Sequence, residues 1–147
     1  MRALVSILFL VCFVTAQAAS LPVQLVNAAK VLERSAAESL TVAHTLFDNS
    51  SDTQSAWVLM RDVATFRSQS ATLVHLLSGP TPHVDVARKT LTSMADISKR
   101  VDAFLADPES GPEDDVLALL AAWTKTNDEL ARVNAMMTPP PPVPPQN

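Results

Sequence analysis

The sequence predicts an all-α fold: an up-down antiparallel four-helix bundle that follows a cleaved signal peptide and precedes a disordered, proline-rich C-terminal tail. Two observations support this prediction. Glycine and proline, which interrupt helices, are confined to a few short segments, so four long stretches contain neither beyond their first residue. Within those stretches, apolar residues recur three and four positions apart, as on one face of an α-helix. No stretch shows the sustained two-residue alternation of a strand.

The first eighteen residues have the three parts of a secretory signal peptide. A positive charge at Arg2 precedes an apolar run over residues 3–14 in which Ser6 is the one polar residue, and the small-x-small tripeptide Ala-Gln-Ala ends at Ala18. The alternative is a membrane anchor, but the apolar run is shorter than the roughly 20 residues that a spanning helix needs. We therefore predict cleavage between Ala18 and Ala19. The protein would be secreted, and periplasmic if its source is a Gram-negative bacterium.

Cleavage would change the cysteine count and the charge of the chain. Cys12 is the only cysteine, so a mature chain of about 129 residues would have no disulfide and would rely on its core. Loss of Arg2 would leave ten basic against fifteen acidic residues, a net charge of −5. The basic residues are scattered along the sequence, so we expect neither nucleic-acid binding nor attraction to an anionic membrane. No later apolar run is long enough for a transmembrane anchor.

The helical part is predicted to be one domain, residues 19–137. Its four helices are expected at about 22–48, 52–77, 82–106 and 112–137.

The expected helix ends carry suitable residues. Ser51 and Ser110 each precede Gln or Glu by three positions, as in a capping box. Pro82 and Pro112 stand where a first helical turn tolerates a missing N–H. Short loops between helices of this length favour antiparallel neighbours.

The first helix differs from the others because alanine is frequent on its apolar stripe, at Ala29, Ala36 and Ala43. Small side chains allow close approach but bury little area per residue, so we expect this helix to be held most weakly. An alternative arrangement is a looser bundle in which the first helix docks apart from a three-helix core.

The last ten residues, Thr-Pro-Pro-Pro-Pro-Val-Pro-Pro-Gln-Asn at 138–147, cannot form a helix. Consecutive prolines favour the extended, solvated polyproline II conformation. We predict a disordered, solvated tail. An alternative role is to bind an aromatic-lined groove on a partner.

The sequence offers no constellation for catalysis, and we predict that the protein is not an enzyme and has no cofactor. It contains no tyrosine and no Gly-x-Ser-x-Gly elbow, and its two glycines cannot build a phosphate-cradling loop. The Cys-x-x-Cys-His motif of covalent haem attachment is absent. His44, Asp48 and Asp52 are spaced as a weak metal-site candidate, but we favour a solvated helix flank.

An exported bundle without catalytic groups most often works by binding. We therefore predict a secreted binding protein for an apolar, lipid-like ligand or a hydrophobic surface, because the core is rich in small, adaptable apolar residues. The residues expected to line such a site are Phe47, Leu59, Phe66, Leu91, Met94, Phe104, Leu120 and Trp123.

The alternative function is a secreted protein-interaction module, such as an effector or an inhibitor. It is motivated by Trp57 and Trp123, since tryptophan is enriched at binding hot spots. Both follow the apolar stripes, however, so burial in the core is the favoured interpretation. A homodimer through the first helix remains open. Asn49-Ser50-Ser51 is an N-glycosylation sequon in the first predicted loop, which matters if the source is a eukaryote.

Overall fold

The computed structural model describes residues 2–107 and 111–138, with side chains described from Val23 onward. The described residues contain four helices and no strand. They are α1 (Arg2–Asn49), α2 (Thr53–Ser78), α3 (Val84–Leu105) and α4 (Glu113–Met137). The all-helical prediction is confirmed, and the last three helices lie within about two residues of their expected bounds. Residues 139–147 of the predicted tail lie outside the described residues.

The first helix is longer than expected. It begins at Arg2 rather than near residue 22, so it includes the residues of the predicted signal peptide. Ala18 and Ala19 lie within this helix, and their side chains are outside the described set. An apolar signal sequence also has a high helix propensity, which explains why helical periodicity alone does not separate it from the bundle. Cleavage between these two residues stays a prediction.

Each helix of the bundle packs against the neighbours that precede and follow it along the chain. Two hydrogen bonds between α1 and α4 show the relative direction of these helices. Asn49 pairs with Asp115, whereas Glu38, earlier on α1, pairs with Lys125, later on α4. Rising numbers on one helix therefore meet falling numbers on the other, as in antiparallel neighbours. In the described part of the chain, no helix has an apolar stretch long enough to cross a membrane.

The expectation that α1 would be the most weakly held helix is wrong. α1 packs closely against both α2 and α4, whereas α3 and α4 have the sparsest close approach of their backbones. Ala29, Ala36 and Ala43 are fully buried, so these small side chains allow neighbouring backbones to approach. The arrangement with a separate first helix is also wrong for the described residues. Close approach outweighs the small apolar area of each alanine because buried alanines recur from Ala29 to Ala43.

The centre of the bundle is filled by two aromatic rings from diagonally opposite helices. Phe66 of α2 and Trp123 of α4 are almost fully buried, and their ring centroids are 5.0 Å apart with an interplanar angle of 66°. This edge-to-face geometry places the positive edge of one ring against the negative face of the other. Two large side chains thus bridge a core to which α1 contributes many small residues along with Leu32 and Leu46.

The start of α2 differs from the predicted capping box. Asp52, not Ser51, is the N-cap, and its Oδ1 accepts hydrogen bonds from the backbone amides of Gln54 and Ser55 at 3.2 and 3.1 Å. The pKa of Asp52 is lowered, first by a hydrogen bond from the Ser55 side chain and then by the bonds from the amides of Ser55 and Gln54. A carboxylate is a stronger hydrogen-bond acceptor than a hydroxyl and is stabilised at the positive end of the helix dipole. The N-cap is therefore Asp52, one residue after the predicted Ser51.

The other predicted caps are also adjusted. α3 begins at Val84, so Pro82 precedes its first turn. Pro112 is the N-cap of α4 and makes no side-chain capping bond. Ser110 lies outside the described residues.

One buried ion pair joins α2 to α3. The carboxylate of Asp62 accepts hydrogen bonds from Arg100 Nε at 2.9 Å and from Arg100 Nη2 at 3.3 Å. Asp62 is buried, whereas the Arg100 side chain is about half exposed. The hydrogen bond to Asp62 raises the pKa of Arg100 above its ordinary value. The two-pronged contact fixes the register of α3 along α2.

Candidate functional site

Most of the residues predicted to line an apolar site lie in the packed core. Phe66, Leu59, Leu91, Met94 and Trp123 are buried, with no more than 2% of any of them exposed. Their side chains pack within the bundle, so a ligand would reach them only if helices separated.

The other three predicted lining residues are more accessible. Phe47 and Phe104 are half-buried against the core, and Leu120 is 43% exposed. The predicted apolar stripe of the last helix was therefore misplaced at Leu120: its neighbour Leu119 faces the core and is fully buried. Two adjacent leucines satisfy the three-and-four spacing almost equally well, so periodicity could not choose between them.

The seam between α3 and α4 is bridged by polar side chains. Asp102 Oδ1 accepts hydrogen bonds from Trp123 Nε1 at 2.9 Å and from Asn127 Nδ2 at 3.1 Å. Ser98 Oγ is 2.7 Å from Asn127 Oδ1 and 3.4 Å from Asp102 Oδ2. A hydroxyl has one proton, and the shorter distance indicates that Ser98 donates it to Asn127. We call Ser98, Asp102, Trp123 and Asn127 the seam network.

Apolar side chains lie at both ends of this network. Leu120 precedes Trp123 by one turn on the same face of α4, and Leu117 beside it is 54% exposed. Toward the other end of the seam is a groove of about 310 Å³. It is lined by Arg88, Leu91, Thr92, Asn134, Met137 and Thr138. Sequence periodicity could predict only Trp123 of the seam network, because Ser98, Asp102 and Asn127 are polar residues on two separate helices.

The two tryptophans have different environments. Trp123 is buried, as expected, but Trp57 is 48% exposed on α2, so the favoured interpretation of core burial is wrong for Trp57. Arg61 lies one turn further along, with its guanidinium carbon 5.3 Å from the centroid of the Trp57 ring. This cation–π contact holds the ring against the helix surface without burying it. Val58, beside it, is also exposed.

The remaining candidate residues lie near the junction of α1 and α2. Asn49 is exposed at the end of α1, and its Nδ2 donates a hydrogen bond to Asp115 Oδ2 at 2.9 Å. A sugar on that nitrogen would have to share or displace this bond, and glycosylation of Asn49 stays a prediction. His44 is exposed and Asp52 is engaged as a cap. Within the described residues, no group of three potential ligands could hold a metal ion.

Comparisons with known proteins add no relative. No protein-family model, no curated protein and no solved structure matches the chain.

Proposed function

We propose that this chain is a secreted, non-enzymatic binding protein for an apolar, lipid-like ligand or hydrophobic surface, and that it admits the ligand by separating α3 from α4. The observation behind the proposal is the seam itself. It has the sparsest close approach of backbones in the bundle, and polar side chains of the seam network bridge it.

Opening this seam would separate fewer closely packed backbone segments than opening any other, and water can replace its hydrogen bonds. Once the helices part, water can solvate Asp102 and Asn127, so their loss of partners is largely compensated. Leu91 and Met94 of α3 and Leu130 of α4 are buried, and an apolar ligand that entered between these helices would replace core contacts of such residues. The seam thus combines a hydratable rim with an apolar interior, which is the usual composition of a small-molecule site.

Other cross-helix bonds are consistent with separation of α3 from α4, because they join α3 to α2 and α4 to α1. Gln69 Nε2 donates to Ser93 Oγ at 2.9 Å, which adds to the ion pair that holds α3 on α2. On the other side, Ser39 and Thr126 bring their hydroxyl oxygens to 2.9 Å, joining α1 to α4. These bonds would stay intact if only the seam network broke.

A disulfide clamp across the seam tests the proposal. In a C12S background, a disulfide between Ser98→Cys and Asn127→Cys would lock α3 to α4 at a point where the two parent side chains are hydrogen-bonded across the seam. We expect the oxidised clamp to weaken saturable binding of a fluorescent fatty acid at least about tenfold, and reduction to restore it. The measurement is a fluorescence titration of both redox states.

A matched clamp on another seam is the control. The pair Ser39→Cys and Thr126→Cys joins α1 to α4, and its oxidation should leave ligand binding unchanged. Equal binding by both oxidised clamps would contradict entry through the α3–α4 seam. An absence of saturable binding by the unmodified chain at high micromolar concentration would contradict the function itself.

A second candidate function, a secreted protein-interaction module, rests on Trp57. Tryptophan and arginine are both enriched in interface hot spots, and here a half-exposed tryptophan lies beside an arginine. Trp57→Ala would be expected to abolish capture of a partner from the extracellular medium, whereas Val86→Ala, also an exposed apolar position, would not. Equal capture by both variants would remove the support for this candidate.

A further inference from the structure

The fold gathers basic residues that the sequence scatters. A groove of about 350 Å³ between α1 and α2 is lined by Lys30, Glu33, Arg34, Ala37, Arg67 and Val74. Three of these six residues are cations and one is an acid, on a chain whose net charge is −4. The basic residues are scattered along the sequence, but at this groove Arg67 of α2 joins two cations from α1.

The cations in this groove are incompletely neutralised. Glu33 pairs with Arg67, with Oε1 and Nη2 3.5 Å apart. Within the part of the chain that the structure describes, Lys30 and Arg34 form no hydrogen bond or ion pair, and both are exposed. The groove thus has a local excess of two positive charges.

The placement of Lys30 and Arg34 carries a small energetic cost. They are four residues apart on α1, where like charges are neighbours and destabilise a helix slightly. Glu33, which could relieve the repulsion, is instead directed to Arg67 across the groove. An anion bound between the cations would turn this repulsion into attraction.

An apolar surface continues from the cationic groove. Lys30 also borders a second groove of about 360 Å³, together with Val23, Val26, Asn27 and Ser78. Val23 is 59% exposed and Val26 is half-buried against the core. A molecule seated with its anionic group among the cations could therefore lay an apolar part along these valines.

We propose that the groove around Lys30, Arg34 and Arg67 binds a phosphate monoester, with the organic part of the ligand on Val23 and Val26. A phosphate monoester carries about −1.5 to −2 charges near neutral pH, which matches the local excess of positive charge better than a single carboxylate does. The two guanidinium groups can each donate paired hydrogen bonds to phosphate oxygens, and the ammonium of Lys30 adds a point charge. This site lies on the α1–α2 side of the bundle, away from the α3–α4 seam.

Titration of the purified full chain with phenyl phosphate, followed by ¹H–¹⁵N NMR, tests the site. We expect saturable shifts confined to residues around the two grooves, and weaker binding at high salt. The double variant K30Q/R34Q should weaken binding about tenfold or more, because it removes two charge-assisted contacts. The control R88Q/K99Q makes the same change in net charge on α3 and should bind like the parent chain.

Glu33→Gln provides a test of opposite sign. Removing its charge frees Arg67 and raises the positive potential of the groove, so phenyl phosphate should bind severalfold more tightly. A merely general loss of stability would not tighten binding, and circular dichroism checks that each variant stays folded. Shifts spread over the whole surface, or equal weakening in the two double variants, would overturn the proposal.

A second arm distinguishes a soluble phosphate ester from a lipid headgroup. The chain is mixed with vesicles of phosphatidylcholine, with or without phosphatidic acid, and sedimented. Sedimentation that requires phosphatidic acid and is lost in K30Q/R34Q would identify a lipid phosphate as the source. Binding of phenyl phosphate without sedimentation would identify a soluble ester. Absence of both would overturn the site.

Discussion

At the scale of single residues, the two tryptophans show how different environments arise from similar sequence positions. Both follow an apolar stripe, yet Trp123 is 1% exposed and Trp57 is 48% exposed. Trp123 completes the edge contact with Phe66 and donates to Asp102, so it contributes both core volume and a bond across the seam. Trp57 contacts Arg61 on its own helix. Substitutions at the two positions should therefore have unequal effects.

We predict that Trp123→Phe lowers the free energy of unfolding by about 2 kcal/mol, because it removes buried volume together with the hydrogen bond to Asp102. Trp57→Phe, the matched control, should stay within about 0.5 kcal/mol of the parent because a phenyl ring can occupy the same exposed position. Urea unfolding of the two variants measures both values. Equal effects at the two positions would contradict the assigned burial.

Asp52 gives a prediction about pH. Its pKa is lowered in the folded chain by hydrogen bonds from Ser55 and Gln54, so its contribution to stability is present above the unfolded pKa of about 3.9 and is lost as pH falls through the folded pKa. Asp52→Ala should therefore lower the urea midpoint at neutral pH, with a gap to the parent that narrows in acid. Asp52→Asn, which can still cap α2, should lose this pH dependence while keeping most of the cap. A gap that stays constant with pH would contradict the ionised cap.

At the scale of the elements, α1 reverses the expectation drawn from its composition. Its alanines were expected to make it the most weakly held helix, because each buries little apolar area. In the fold they let α1 approach α2 and α4 closely, and Ala28, Ala29, Ala36 and Ala43 are buried. Small residues therefore allow α1 to pack closely against both α2 and α4. In contrast, α3, which has larger side chains, packs against α4 across the polar seam network.

Enlarging one of these alanines tests the close approach. Ala36→Leu should destabilise the chain by about 1–3 kcal/mol, because the fully buried position has no room for the added methylenes. Ala131→Leu places the same side chain on the exposed face of α4 and should have little effect. Thermal unfolding of both variants and the parent chain measures the effect. An Ala36→Leu variant as stable as the parent chain would mean that α1 is packed more loosely than the structure shows.

At the scale of the whole molecule, the distribution of charge depends on the fold. The sequence predicts an acidic protein with dispersed cations, and its net charge is −4. Packing α1 against α2 nevertheless brings Lys30, Arg34 and Arg67 to one groove. The described chain therefore presents a locally positive site on an acidic surface, on a different side of the bundle from the α3–α4 seam.

The predicted signal peptide concerns the whole chain, because its cleavage would set the N-terminus of the secreted protein. Because Ala16-Gln17-Ala18 matches a signal-peptidase site, the protein recovered from the culture medium should begin at Ala19. Intact-mass spectrometry and N-terminal sequencing measure this directly. Replacing Ala18 with a bulky residue such as Leu should block cleavage there. A secreted protein that retains Met1 would contradict the predicted signal peptide.

The helical content, the approximate bounds of α2, α3 and α4, and most of the buried apolar residues could be predicted from the sequence. The reason is that the spacing of apolar residues and the positions of glycine and proline are local properties of the chain. Leu59, Phe66, Leu91 and Met94 were expected on apolar faces and are buried. The choice between Leu119 and Leu120 remained ambiguous because both fit the same periodicity.

Three features are visible only in the tertiary structure: which helices pack closely, the seam network, and the groove lined by three cations. Those features join residues far apart in the chain. They follow from the rotation and register of one helix against another, which a periodic pattern within a single helix does not specify.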